Sequence, residues 1–291
     1  MPAPSVSELK AAELHAAHAY RAVRRIKQSR GISAVNLREV WAYRDLLYIL
    51  AWRDVKVRYK QTALGAAWAL LQPLFLMGIF TLLFGRVAKV QVPVPYPIFA
   101  FCGLLPWQLF AFGLTQSSNS LVHNQHLVSK VYFPRLILPL ASVIAGLLDF
   151  AIAFTLLLAM MAYYRVPLGH GALLLPLFVL LAVMTSLTAG IWLSAVNVRY
   201  RDVQHTIGFL VQFWMLATPV GYPSSVVPPR WHWVLGLNPM AGVVEGFRWA
   251  LLGRGEKPVA MLAVSVGMVV LLLIAGLHYF RKVEKTFADV I

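Results

Sequence analysis

A succession of long uncharged stretches limits what this chain can become. Thr62–Gly85, Tyr96–Ser117, Ala172–Val198, Thr206–Tyr222 and Val259–Phe280 contain no Asp, Glu, Lys or Arg, and Leu136–Tyr164 contains only Asp149. A helix needs roughly 20 apolar residues to cross the hydrocarbon of a bilayer. The pattern therefore predicts an all-α membrane protein with six transmembrane helices, over about 62–85, 96–117, 136–164, 172–198, 206–222 and 259–280, the fifth being the shortest. With 59% of the 291 residues hydrophobic and 13% charged, the chain carries more apolar surface than a water-soluble core can bury.

Trp231–Leu252 is apolar enough to suggest a seventh crossing, but it contains Pro239, Glu245 and Arg248. Charge decides against it. With six crossings, 19 of the 26 Lys and Arg residues fall on one side together with both termini, and seven fall on the other. The positive-inside rule makes the richer side cytoplasmic. Residues 223–257 are then an external segment of short re-entrant gate helices, in which Glu245 and Arg248, spaced i, i+3, can pair. Upstream, residues 36–61 are expected to form an amphipathic interfacial helix, capped by Asn36 and Glu39, with Trp41, Tyr43, Tyr48, Trp52 and Tyr59 interleaved among basic residues. Residues 1–35 form a basic N-terminal extension with no apolar run of the kind a cleavable signal peptide requires. The net charge of +15 points to anionic lipid, a cytoplasmic membrane face or polyanionic cargo, rather than to nucleic acid. The single cysteine, Cys102, excludes an intramolecular disulfide framework and a Cys-based zinc site.

The chemistry-bearing motifs are mostly missing. No Gly-x-x-x-x-Gly-Lys-Ser/Thr stretch is present, so any ATP dependence must come from a partner. Neither His-Glu-x-x-His nor Gly-x-Ser-x-Gly occurs, and the aspartates never fall together as a metal-holding pair; no catalytic, cofactor-binding or metal site is assigned. His123 and His126 lie one helical turn apart, without a nearby third ligand. Asp149 is the ionisable group placed well inside a predicted span, where it either relays protons or faces a helix neighbour or hydrated path. Arg53, Lys56 and Lys60 recur on one helical face and can meet either a lipid diphosphate or anionic lipid generally. Tyr222, Trp231 and their neighbours form either an aromatic belt at the bilayer boundary or rings that stack on sugars in a path, which Trp107, Phe110, Phe213 and Trp214 would extend.

Five stretches in order carry a resemblance: RDVKVRYKQTALGAAWALLQPL (Arg53–Leu74), FPRLILPLASVIAGLLDF (Phe133–Phe150), NVRYRDV (Asn197–Val203), ATPVGYPSSVVPP (Ala217–Pro229) and LNPMAGVVEGFRWALLG (Leu237–Gly253). Over about residues 40–285 the chain resembles the membrane subunit of ABC-2 type polysaccharide exporters, which move O-antigen, capsular or teichoic-acid chains across bacterial cytoplasmic membranes. The resemblance implies a transmembrane domain over 62–285, two copies of this subunit and two copies of a separate ATPase that binds ATP and Mg. It places a coupling helix at Ser118–Lys130, with docking contacts at Ser118, His123, Asn124, Gln125, His126 and Lys130, and a second contact around Arg199, Arg201 and Asp202. The implied cargo is a glycan joined through diphosphate to a polyprenol lipid, and the implied gate helices fall within 223–253. An exporter of a lipid or small molecule, and a non-transporting scaffold of envelope polysaccharide assembly, are the competing expectations.

Overall fold

The computed structural model describes residues 37–60, 65–200, 202–254, 257–284 and 287. The chain divides between Ser33 and Ala34, and all described residues lie on the C-terminal side; the expected extension over 1–35, the Asn36 cap and Arg201 are outside them. Every regular element among the described residues is helical. The expected interfacial helix is two pieces, α1 (Leu37–Ala42) and α2 (Arg44–Lys60). Tyr48, Trp52, Lys56 and Val57 of α2 face outward, whereas Leu50 and Ala51 pack inward.

The first long apolar run forms α3 (Gly65–Phe80), which loosens into a π-helical stretch over Thr81–Val87. Next come α4 (Tyr96–His123), the short α5 (Gln125–Lys130), α6 (Ile137–Tyr163) and α7 (Leu175–Arg199). The remaining helices are α8 (Val203–Ala217), α9 (His232–Gly236), α10 (Pro239–Leu252) and α11 (Val259–Glu284). Among the described residues, five helical stretches are long and apolar enough to cross a bilayer: Ala67–Val87, Tyr96–His123, Ile137–Tyr163, Ala172–Arg199 and Val259–Glu284. This is a multi-pass membrane protein.

Helix α4 is the axis of the bundle, enclosed by α3, α6, α7 and α10. Its seam with α7 is built from small residues: a β-carbon on Gly190 would overlap the Ser117 hydroxyl, so glycine is what lets the two backbones approach. Asn197 closes the seam at the His123 end, its amide donating to the Ser118 carbonyl and to Asn119 Oδ1, each at 3.0 Å. Outer faces such as Phe75 and Ile79 on α3, or Val270 and Ile274 on α11, stay exposed, as lipid-facing surfaces do.

The fifth expected span differs in form from a full helix. Only Val203–Ala217 is helical, 15 residues, or about 22 Å at 1.5 Å per residue. Thr218 then turns extended (φ −102°, ψ 137°). The chain nonetheless runs from the His123 end of the bundle to the Tyr96 end, because the Tyr96 hydroxyl donates to the Gly221 carbonyl. From there it turns back inward. Asn238 lies at the level of Trp214, whose indole donates to its Oδ1 at 2.8 Å, and Trp214 in turn packs edge-on against Phe110 near the middle of α4. Asn238 Oδ1 also caps α10 by accepting from Met240 N–H at 3.1 Å. Helix α10 then returns to the Tyr96 end, stopping at Gly253, which adopts φ 63° and packs on Gly169 in the α6–α7 connection. Gly221 and Gly253 thus both lie toward the Tyr96 end of α4.

Candidate functional site

Three places in the bundle concentrate polar chemistry. The first is a cavity of about 500 Å³ between α2, α4 and α6, near the His123 end. Arg53, Arg58 and Tyr59 reach it from α2, Gln116 and Ser120 from α4, and Ser142 from α6, while His123 and Asn124 form the wall beside α5. Arg53 is paired with Asp54 at 2.8 Å. Arg58 forms an ion pair with Asp149 and lies 3.9 Å from the centre of the Phe112 ring, and the Tyr59 hydroxyl donates to the other Asp149 oxygen. Burial and the adjacent Asp149 carboxylate push the Tyr59 phenol up from its ordinary value, so it stays protonated as a donor. Asp149 sits 12 residues beyond Ile137 on α6, about 18 Å along the helix.

That arrangement revises the expected basic face. Arg53 lines the cavity, but Lys56 sits outside it beside the Trp52 ring (5.7 Å) and Lys60 is exposed. The spacing put three cations on one face; helix packing selects Arg53 and Arg58 instead. Arg58 and Tyr59 were not singled out because their partner lies about 90 residues away on α6. The signal available was Asp149 itself, since a carboxylate inside a span requires a partner.

The second place is the clamp at the Tyr96 end. Arg248 is buried on α10 and pairs with Glu245 at 3.2 Å, as their spacing predicts. Its guanidinium also donates to the carbonyls of Pro219 (2.6 Å), Val220, Tyr222 (3.4 Å) and Phe99 (3.3 Å), and stacks 3.8 Å above the Phe99 ring. Glu245 accepts from Ser224 N–H at 3.1 Å. The irregular turn after α8 therefore has its carbonyls satisfied by side chains, those of Pro219, Val220 and Tyr222 by Arg248 and that of Gly221 by Tyr96. The expected aromatic lining divides here. Trp107 and Phe110 are buried inside the subunit, Trp107 packed on Phe110 and Phe110 on Trp214, so they fill its core. Phe213 on α8 and Trp231 before α9 are exposed, and Tyr222 is partly so.

The third place is the far end of α4. This helix continues unbroken through Ser118 to His123, and only Gln125–Lys130 forms a separate short helix. Ser118 is fully buried, its hydroxyl donating to the Leu114 carbonyl at 2.6 Å, so it lies inside the bundle and not on a docking surface. His123, His126 and Lys130 are exposed, with Asn124 and Gln125 half-buried; Arg199, which ends α7, and Asp202, just before α8, are exposed.

Comparison with known proteins gives a consistent picture. A family model described as ABC-2 type transporter matches residues 45–252. The O-antigen export system permease protein RfbA of Myxococcus xanthus is 34% identical over 260 residues, covering 87% of this chain and 98% of the relative. A Klebsiella pneumoniae protein of the same name is 29% identical, covering 85% and 95%. The polysialic acid transport protein KpsM of Escherichia coli is 26% identical, covering 80% and 91%.

Proposed function

Starting from the fact that this chain belongs to the ABC-2 type transporter family, we propose that it is the membrane subunit of an ATP-driven exporter that moves a lipid-linked polysaccharide across the bacterial cytoplasmic membrane. The near end-to-end match to O-antigen export permeases carries this reading. Two copies of the chain form the path together with two copies of a separate ATPase, which binds ATP and Mg. The chain crosses the bilayer six times, with both termini cytoplasmic.

Helix α5, together with Arg199 and Asp202, is the docking surface for the ATPase. His123, Asn124, Gln125, His126 and Lys130 supply its contacts, and Arg201 belongs to the same loop. Helix α4 is one continuous rod between that surface and Phe99, which touches Arg248. A displacement of α5 on nucleotide binding is thereby carried to the Pro219–Tyr222 turn and the re-entrant pair α9–α10, shifting the bundle between two discrete packings. The exposed face of α8 around Phe213, with Tyr222 and Trp231 beyond it, offers rings to a passing glycan at the interface between copies. The basic α2 helix, including Arg53 and the outward Lys56 and Lys60, meets the headgroup region.

The test is co-purification of the chain with its cognate ATPase, followed by measurement of nucleotide hydrolysis in proteoliposomes. Association and stimulated hydrolysis are expected. Failure of any nucleotide-binding partner to associate would remove the exporter reading.

A further inference from the structure

Three chain connections meet at the Tyr96 end, and they carry exposed apolar residues together with cations. In the α6–α7 connection, Tyr163, Leu168 and Leu173 leave 81%, 58% and 91% of their surface uncovered, and the Tyr163 ring stands edge-on to Tyr164, 5.2 Å away. These side chains lie at the ends of two long membrane helices, where the hydrocarbon boundary covers rings and apolar tips. Gly169 of the same connection donates its N–H to the Leu251 carbonyl at 2.7 Å, and a β-carbon on it would overlap the Gly253 backbone. The connection is thereby latched to the last turn of α10. Arg254 and Lys257 follow that turn: Arg254 donates to the Pro93 carbonyl in the α3–α4 connection, and Lys257 lies 5.5 Å from the Trp249 ring. Among the described residues, Glu245 is the acidic group at this end, and it is held by Arg248 and the Ser224 N–H; Glu256 lies outside them.

The backbone singles out two further features of this end. Arg165 closes α6: its N–H donates to the Ala162 carbonyl at 3.2 Å and the Val166 N–H to that of Met161 at 2.9 Å. In that paired closure the residue after the helix is left-handed and is usually glycine. Arg165 has φ 54°, and Lys89, after the π-helical stretch, has φ 49°. At the end of α10 the same conformation is filled by Gly253. Two long cations thus occupy positions that glycine takes at lower conformational cost. Neither has a hydrogen-bond or ion-pair partner among the described residues. The helix dipole favours a cation near a helix C-terminus, but it gives no reason for Leu173 and Tyr163 to be uncovered in the same connection.

We propose that the α6–α7 connection, with Arg254 and Lys257 beside its latch, is a docking surface for acidic phospholipid. Tyr163, Leu168 and Leu173 enter the boundary between acyl chains and headgroups, and Arg165, Arg254 and Lys257 meet the negative charge of the headgroups. Each Lys or Arg near an anionic leaflet adds to the attraction. Because Gly169 is latched to Leu251 and Gly253, lipid held here fixes the end of α10, the helix that carries the Arg248 clamp. Acidic lipid in that leaflet therefore steadies the segment before the last long helix. The surface lies at the opposite end of α4 from the α2 cavity, and its chemistry is the same whichever cargo the chain carries.

The experiment uses the full chain in nanodiscs of phosphatidylcholine mixed with phosphatidylglycerol. A fluorophore is attached at Leu177→Cys, exposed near the start of α7; the native thiol of Cys102 is buried. Quenching by phosphatidylglycerol with brominated acyl chains is compared with quenching by brominated phosphatidylcholine. The acidic lipid should be preferred, Arg165→Gly should lower that preference by about fivefold, the gain an acidic surface gives one cation, and Arg165→Lys should keep it. Glycine also relieves the left-handed backbone, so Arg165→Gly should be at least as thermally stable in detergent as the parent. Lower stability with an unchanged lipid preference would confine Arg165 to the helix end and overturn the surface. A second label at Tyr200→Cys, exposed just after the other end of α7, should keep its lipid preference in Arg165→Gly. Equal quenching by both lipids at position 177, or the same loss at both labels, also overturns it. For the latch, amide hydrogen exchange over residues 249–253 should slow severalfold as phosphatidylglycerol is added to the wild type, but not to Arg165→Gly. Exchange that ignores lipid composition would remove the coupling to α10.

Discussion

Arg248 has five acceptors around it, and four of them are backbone carbonyls. A buried charge is costly unless fully hydrogen-bonded, and removing one partner of such a set leaves the others unpaired. Arg248→Met should therefore lower stability by about 3–5 kcal/mol, the cost of breaking a buried ion pair, read as reduced thermal stability of the detergent-solubilised protein. Unchanged stability would contradict the clamp. Exchanging the pair, Glu245→Lys with Arg248→Glu, recreates opposite charges but points a carboxylate at the carbonyls of Pro219 and Val220. Recovery relative to Glu245→Lys should be absent, and a rescue would show that the ion pair alone matters. The i, i+3 spacing made the pair legible in the sequence. The carbonyls were not, because Phe99 and the Pro219–Tyr222 turn reach Arg248 only after α4, α8 and α10 have packed.

Helix α4 meets α7 through glycine and serine, since lipid supplies little hydrophobic drive between helices and close van der Waals contact must supply association. Gly190→Ala should cost about 1–3 kcal/mol, the usual penalty for overpacking, and Ser117→Gly in the same chain should recover part of it. Two costs that simply add would mean that the residues do not share the contact. At the far end of α4, the exposed pair His123→Ala with His126→Ala should reduce ATPase stimulation and export severalfold while leaving membrane insertion intact. Normal export would remove α5 from the docking surface. The family resemblance placed a coupling helix at Ser118–Lys130, but its first half belongs to α4, where Ser118 and Ser120 serve a buried seam and not a docking surface. Composition cannot separate these uses, because serine in a membrane helix returns its hydroxyl to the preceding turn, as Ser118 does to Leu114.

At the scale of the whole molecule, the proposed topology turns on the segment before the last long helix. If residues 221–253 enter and leave at one end, the crossings number six and compartment-sensitive reporters fused to the two termini should both report the cytoplasm. Reporters on opposite sides of the membrane would overturn that count. What the sequence determined by itself is the class of protein and the position of the long helices. Those follow from the cost of placing charge and unpaired backbone in hydrocarbon, which is paid locally and so is written in local composition. Tertiary structure alone decided that the fifth passage is a 15-residue helix completed by extended chain, that Trp107 and Phe110 are core while Phe213 faces out, and that Asp149 belongs to Arg58 and Tyr59. Those outcomes depend on which faces of distant helices meet, and several cations or rings of equal local merit compete for each partner until packing selects one.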